Sequence, residues 1–506
     1  MLMTMDDRTP VIVGVAQVEQ REDDPLAARE PLALMLDAVR AAAEDCGNPS
    51  ILAQVDSVRV VRGMWGYGNP ARRLAEQIGV PSAETGLTSL GGNYVQSLTH
   101  RSFLDIQSGC REVVVVTGGE CGRTQARALK AGIELNWNPL ATAPGTSPVA
   151  RDNIDPPELY LGSDKVTRHE AELKRGIERP IQFYPMFEIA LRHANGESVT
   201  AHRERVSKLW AGFNKVAVDN PHAWIRTPMS ATQISEPSPT NRAISYPYTK
   251  LMNSNNSVDQ GAALILTSTG RARKLGIPEE RWVYPIAGTE AWDHITVSER
   301  DNLHSSPAIR CAARKLFELA DFGIADVDLV DLYSCFPVAV QVAANEIGLT
   351  QDRPLTVTGG LTFAGGPLNN YVMHGVARTV ELLRERPGSR GLVSANGGLL
   401  TKHALCLYAS EPAQKPFAWA DLQPEVDAGF RRGVFVDHDG EATLETYVVM
   451  YGPSGEPRIA HCACLTAGGQ RTWANVTDID TVCAMIDEEF CGRSVSVDGN
   501  GGLRFA

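Results

Sequence analysis

Four consecutive valines, Val113 to Val116 in REVVVVTGGE, constrain this chain more than any other feature. A strand that is apolar at every position has no face to show to water. It belongs inside a sheet covered on both sides, and the expectation is a parallel sheet packed between helices. The neighbouring segments fit. PVIVGVAQV at Pro10 to Val18 and VDSVRVVRG at Val55 to Gly63 read as strands. After Pro31, the residues Leu32, Met35, Leu36, Val39, Ala43 and Cys46 repeat at helical spacing. A further helix is expected from about Tyr94 to Gln107. The alternation is α/β.

The texture changes twice along the chain. Residues 123–246 are rich in Pro, Asn, Arg and Lys and read as an inserted segment. Regular α/β then resumes through DQGAALILTSTG, DVDLVDLYSCF, GLVSANGG and HALCLYAS, so two α/β halves flank the insertion. From 411 a proline-bearing linker leads into short alternating strands separated by Gly-rich turns. These predict a small all-β barrel, with an OB-like one as the leading form. The expected division is 9–122 with 247–283, 123–246, 284–410 and 411–506. A length of 506 residues suits about three domains.

Composition narrows the function. Lys and Arg number 48 against 60 Asp and Glu, a net charge of −12, so a general nucleic-acid binder is disfavoured. No apolar run approaches the ~18 residues needed to span a bilayer. The opening MLMTMDDRTP lacks the basic flank of a secretory signal, and a cytoplasmic protein is expected. The ten cysteines include no CxxC pair, which gives a zinc ribbon no support. Cys462 and Cys464, beside His461, read as core residues rather than ligands. No metal is expected.

Three Gly-rich junctions stand at strand ends: SLGGNY from Ser89, TGGLTFAGGPLNNY from Thr358 and SANGGLL from Ser394. Each can be a plain tight turn, or a place where backbone N–H groups meet an anion or oxyanion. None has the spacing of a dinucleotide fingerprint or a P-loop.

Over about residues 9 to 410 the chain resembles the thiolase superfamily. IQSGCREVVVVTGGE resembles the strand after the nucleophile helix. NSNNSVDQGAALIL resembles the exit from the loop domain. DLYSCFPVAVQVAANEIGL resembles the His-Asp-Cys-Phe motif of sterol-carrier-type thiolases, and GGLTFAGGPLNN their Gly-His-Pro motif. VDNPHAW resembles their Asn-Pro-x-Ala. The resemblance implies a duplicated fold with two buried five-stranded sheets, an inserted loop domain, and coenzyme A or acyl-coenzyme A as ligand, with no other cofactor. The tail resembles the extra OB-like domain of type 1 thiolase-like proteins.

The same alignment implies that the thiolase nucleophile falls at Gly92 and the Gly-His-Pro histidine at Gly366. Ala395 or Asn396 stands where the second cysteine loop has its cysteine. Standard thiolase turnover is therefore not expected. Cys335, Tyr333 and His403 are the candidate proton-transfer residues, each with a structural alternative: inert thiol, packed aromatic, satisfied core histidine. Asn256, Gly365, Gly366, Gly397 and Gly398 are the candidate thioester-binding positions. His374 lies on a helix leaving the site. Lys165, Lys174 and Arg175 are candidates for the coenzyme A 3′-phosphate, or simply a solvated face. Arg431, Arg432, Arg458 and Arg471 form a candidate basic patch on the tail.

Three functions follow: a coenzyme A thioester binder within the acetyl-CoA acetyltransferase superfamily, an aldol lyase acting on a β-hydroxyacyl thioester, or a non-catalytic scaffold. A protein partner would dock through the barrel, no membrane is involved, and both monomer and dimer remain open.

Overall fold

The valine run is an inner strand of a mixed sheet. The computed structural model describes residues 6–135, 137, 155–163 and 165–505. In it Val113–Cys121 is buried at every position, antiparallel to Asp259–Ser268 on one side and parallel to Ser57–Val60 on the other. The expected parallel sheet is thus only half parallel. A fully apolar strand reports cover on both faces, not the direction of its neighbours. Asp259–Ser268 follows the long insertion, so no short crossover dictates its direction.

Pro10–Glu19 completes one edge of this sheet. The other edge runs through Glu84–Thr88 to Leu159–Leu161, which makes six strands rather than the expected five. The sixth comes from the inserted segment and covers backbone groups that would otherwise be an open edge. The helix Pro31–Asp45 begins at its proline and buries the predicted stripe, including Leu32, Met35, Val39 and Ala43.

The second sheet has the order Leu329–Asp331, Arg390–Gly397, Lys402–Ala409, Tyr284–Trp292, Ala418–Asp421. Its last strand comes from beyond 410 and pairs in parallel with Tyr284–Trp292. Helix Tyr94–Ser108 lies between the two sheets. Its buried Asp105 accepts from Arg59 of the first sheet, and its Gln96 donates to the Val393 carbonyl of the second. Burial on several sides explains why a helix this polar carries eleven buried residues.

The C-terminal strands Arg471–Val476, Pro457–Thr466, Gly440–Tyr451, Ser494–Val497 and Leu503–Phe505 pair antiparallel in that order. A parallel bridge between Asn475 and Gly502 joins the two ends, and the helix Ile479–Asp487 follows the strand Arg471–Val476. Two short strands at the end of the inserted segment and just beyond it, Ala243–Tyr246 and Tyr248–Thr249, extend this sheet. Cys462 and Cys464 are fully buried in it. No helix among the described residues is long and apolar enough to cross a membrane.

Candidate functional site

The parallel strands Ser57–Val60 and Glu84–Thr88 end at one rim of the first sheet, where Ser89–Gly92 turns into the helix Tyr94–Ser108. Gly92 is buried, and a Cβ there would lie 2.6 Å from the Asn396 carbonyl oxygen and 2.8 Å from Tyr333 Oη. The position implied for a nucleophile is therefore occupied, and by a hydroxyl. Tyr333 follows the strand Leu329–Asp331. Its N–H donates to Ser394 Oγ at 2.8 Å, and its ring meets Tyr371 edge-on at 5.7 Å. Enclosure by protein, and then the nearby Cys335, push the phenol well above its ordinary range, so it stays protonated.

Cys335 is buried just before the helix Pro337–Ile347. Its Sγ receives Asn396 Nδ2 at 3.9 Å, and burial pushes the thiol up to about 12. Such a thiol is no ready nucleophile at neutral pH. The Asn396 amide also donates to Tyr184 Oη at 3.0 Å. Tyr184 in turn accepts from Leu400 N at 2.9 Å, donates to the Gly398 carbonyl at 3.3 Å and stacks on Phe336 at 4.4 Å. It comes from the inserted segment's helix Pro180–Ala194, and no motif in the sequence pointed to it.

Two buried amides near Gly92 carry unpartnered atoms. Asn396 Oδ1, and both Oδ1 and Nδ2 of the fully buried Asn93, have no hydrogen-bond partner among the described residues. Buried polar groups are ordinarily satisfied, so these atoms mark a place for water or ligand. Asn93 Oδ1 lies 2.3 Å from where a Cβ on Gly397 would stand. The two Gly-rich loops thus close on each other.

At Gly366, the position the resemblance implies for the histidine, there is also little room for a side chain. A Cβ there would sit 3.1 Å from Asn256 Oδ1, and Gly366 N donates to the Asn255 carbonyl at 2.9 Å. Asn256 is exposed, so this loop lies at the protein surface. Gly365 adopts φ +112, with Gln260 packed where a side chain would point.

His403 faces a different neighbour. It lies opposite Asn396 in the strand register, and its Nε2 is 3.4 Å from Asp293 Oδ2, both residues being buried. Burial raises the Asp293 carboxyl, but the adjacent His403, the Arg300 charge and the hydrogen bond from Ser306 hold it below its ordinary value, so it is ionised. Tyr333, Asn396 and His403 line one cavity of about 10 Å3. That is room for about one water. Asp293 also lines a separate pocket of about 470 Å3, with Tyr94, Trp292 and Trp419 among its walls. The structure thus gathers Tyr333, Cys335 and Asn396 around Gly92, with His403 and Asp293 one cavity behind.

The basic candidates serve the fold. Arg175 is buried and donates to the Trp473 and Asn500 carbonyls at 3.0 and 2.8 Å, and Lys174 pairs with Asp437 at 2.8 Å. Both bind the C-terminal module rather than face a phosphate. Lys165 is exposed, near the Trp292 ring. Arg471 is fully buried on Glu445 at 2.7 Å, while Arg431 and Arg432 pair with Glu299 and Asp301. The expected basic patch is therefore largely neutralised. His374 is buried on Gln17, and burial lowers its imidazole to about 3, so it is neutral.

Comparison with known proteins identifies the family of the fold. Residues 421–502 match the family model of the thiolase-like protein type 1 additional C-terminal domain. An acetyl-CoA acetyltransferase of Methanothermobacter thermautotrophicus is 25% identical over 324 residues, 59% of this chain and 77% of that protein. An Ltp2-ChsH2(DUF35) aldolase shares the fold at TM-score 0.61 and 19% identity, over 80% of this chain and 98% of that one. The crystal structure of a monomeric SCP2-thiolase like protein type 1 from Mycobacterium smegmatis superposes at TM-score 0.82 with 31% identity. That match covers 99% of this chain and 100% of the other, and the chain belongs to the SCP2-thiolase-like proteins of type 1.

Proposed function

We propose that this protein binds an acyl thioester of coenzyme A and does not pass the acyl group through a cysteine. The observation that carries the reading is Tyr333 Oη, in the space a nucleophile at position 92 would need. The unpartnered amides of Asn93 and Asn396 support a polar ligand there, and the Asn93 Nδ2 donor suits a thioester oxygen. The similarity to an acetyl-CoA acetyltransferase supports coenzyme A as the ligand class. Isothermal titration should show binding of acyl-coenzyme A. Acetoacetyl-coenzyme A and free coenzyme A should give no thiolysis. Absence of binding, or turnover near ~10 per second, rejects the proposal.

A second reading, aldol cleavage of a β-hydroxyacyl thioester, draws on the one-water cavity shared by Tyr333 and His403. In that reaction a base removes the β-hydroxyl proton, the Cα–Cβ bond breaks, and its electron pair passes to the thioester as an enolate. Protonation at Cα then releases a carbonyl compound and the shorter thioester. His403, oriented by ionised Asp293, suits the base. Protonated Tyr333 suits the acid. The resemblance to an aldolase fold is compatible with this. Tyr333→Phe should lower such a rate by about a hundredfold with coenzyme A affinity unchanged. An unaffected rate removes this reading and leaves the first.

The strand order of the C-terminal sheet, closed by the Asn475–Gly502 bridge, supports an OB-like barrel. The cover that Leu159–Leu161 gives the edge of Glu84–Thr88 supports a monomer. The ten free cysteines support a reducing compartment such as the cytoplasm.

A further inference from the structure

His193, Glu489 and Cys491 meet where the helix Pro180–Ala194 touches the C-terminal strands, although nearly three hundred positions separate the first from the others. One ligand atom from each lies within 4.8 Å of the other two, and His193 Nδ1 is 4.0 Å from Glu489 Oε2. Zinc bonds of about 2.0 to 2.3 Å place tetrahedral ligand atoms roughly 3.3 to 3.8 Å apart. The ligand atoms have to close by up to about 1 Å to reach that spacing.

The carboxylate is already oriented. Arg192 donates to both Glu489 oxygens at 3.1 Å, and Cys491 N donates to Oε1 at 2.9 Å. The Arg192 guanidinium is itself fixed by the Tyr246 and Tyr447 hydroxyls at 3.2 and 3.4 Å. Partners that fix a ligating group before the ion arrives are a regular part of metal sites. Cys491 is buried and His193 about half exposed. The group therefore has a protein side and an open side, where water can complete four-coordination.

We propose that these three side chains hold a divalent transition ion, zinc in the first instance, which clamps the C-terminal module to the inserted segment. Thiolate, imidazole and carboxylate together favour zinc-like ions over magnesium or calcium. On binding, the Cys491 S–H bond breaks, its proton leaves to solvent and the sulfur lone pair bonds the ion. His193 gives its Nδ1 lone pair, and Glu489 gives Oε2. No electron is transferred. The positive charge of Arg192 works against the ion, so affinity falls below that of a closed four-ligand structural site.

The test is titration of the full chain with zinc chloride by calorimetry, and with Co2+ by absorption. One equivalent of zinc should bind, about tenfold more tightly per pH unit while one proton is released. Co2+ should give a thiolate charge-transfer band. Cys491→Ser and His193→Ala should each weaken zinc by at least tenfold, and Cys491→Ser should abolish the band. His193 is exposed enough that its variant should fold normally, which circular dichroism checks. A chain that takes up no zinc, or either variant binding it as the parent does, overturns the proposal.

Discussion

Gly92→Ala tests whether the nucleophile position is closed. The added methyl would lie 2.6 Å from the Asn396 carbonyl oxygen and 2.8 Å from Tyr333 Oη. Ordinary contacts of carbon with heavy atoms are about 3.5 to 4.0 Å, so the overlap approaches 1 Å on two sides. The carbonyl belongs to a strand paired along its length with Lys402–Ala409 and has little room to retreat. The phenol can turn. Overpacking of this kind costs about 1 to 3 kcal/mol, read as a lower thermal midpoint in calorimetry. Tyr333→Phe removes the hydroxyl but leaves Tyr333 Cε2 at 3.0 Å from the new methyl. The double variant should therefore recover only part of the loss, a coupling of about 1 kcal/mol. Gly92→Cys extends the test to chemistry. With glycine at 366 no imidazole activates the thiol, which is then only a few per cent ionised at neutral pH. Intact mass after incubation with acetyl-coenzyme A should not change. A Gly92→Ala variant as stable as the parent, or rapid stoichiometric acylation of Gly92→Cys, refutes the reasoning.

Other outcomes can be measured independently. Burial raises the Glu120 carboxyl to about 8, with Oε1 accepting from Met64 N at 2.8 Å and Oε2 unpartnered among the described residues. The folded protein then holds a proton that the unfolded chain releases above its ordinary value near 4.5, so stability falls as pH rises from about 4.5 to 8. Glu120→Gln should flatten that fall and stabilise the protein at pH 9 relative to the parent, as seen in urea midpoints across pH. His374 has the opposite sign. Held neutral down to about 3, it lowers stability as pH falls from 6.5 toward 3, and His374→Gln should reduce this acid sensitivity in the same series. Arg175→Ala removes charged hydrogen bonds to two carbonyls of the C-terminal module, at a cost of about 2 to 4 kcal/mol. Limited proteolysis should then cut near residues 425–440 well before the parent is nicked, and equal resistance would show that the module is held elsewhere.

The sequence was most legible where burial decides the pattern. Val113–Val116 and the stripe of Pro31–Asp45 announce covered faces, and both are covered. What they do not announce is which strand lies alongside. The edge strand Leu159–Leu161 and the pair Ala243–Thr249 take their identity from partner edges over 70 and over 200 residues away. Short polar segments carry no periodicity to reveal such partners. The same limit applies at the site. Cys335, Tyr333 and the glycine loops became candidates because motif order carried them, whereas Tyr184 and Asp293 join the candidate site only through contacts across the fold. Arg175 shows the converse, since a basic residue available for phosphate on sequence grounds is consumed by backbone carbonyls.

The resemblance to thiolases implies glycine at both the nucleophile and the histidine positions, and the geometry shows what surrounds those two glycines. A nucleophile deleted from an otherwise unchanged site would leave a cavity beside the helix terminus. Here Tyr333 Oη stands in that space, and Asn256 stands against Gly366. Glycine at 92 is thus a steric requirement of the tyrosine, and the tyrosine is placed by a hydrogen bond to Ser394 and by the edge of Tyr371. The positions form one unit. A cysteine placed at 92 alone adds a clash, and a histidine placed at 366 alone adds an imidazole with no thiol to activate. A site that had merely decayed would tolerate either change. One rebuilt around a phenol should lose stability or ligand affinity with each.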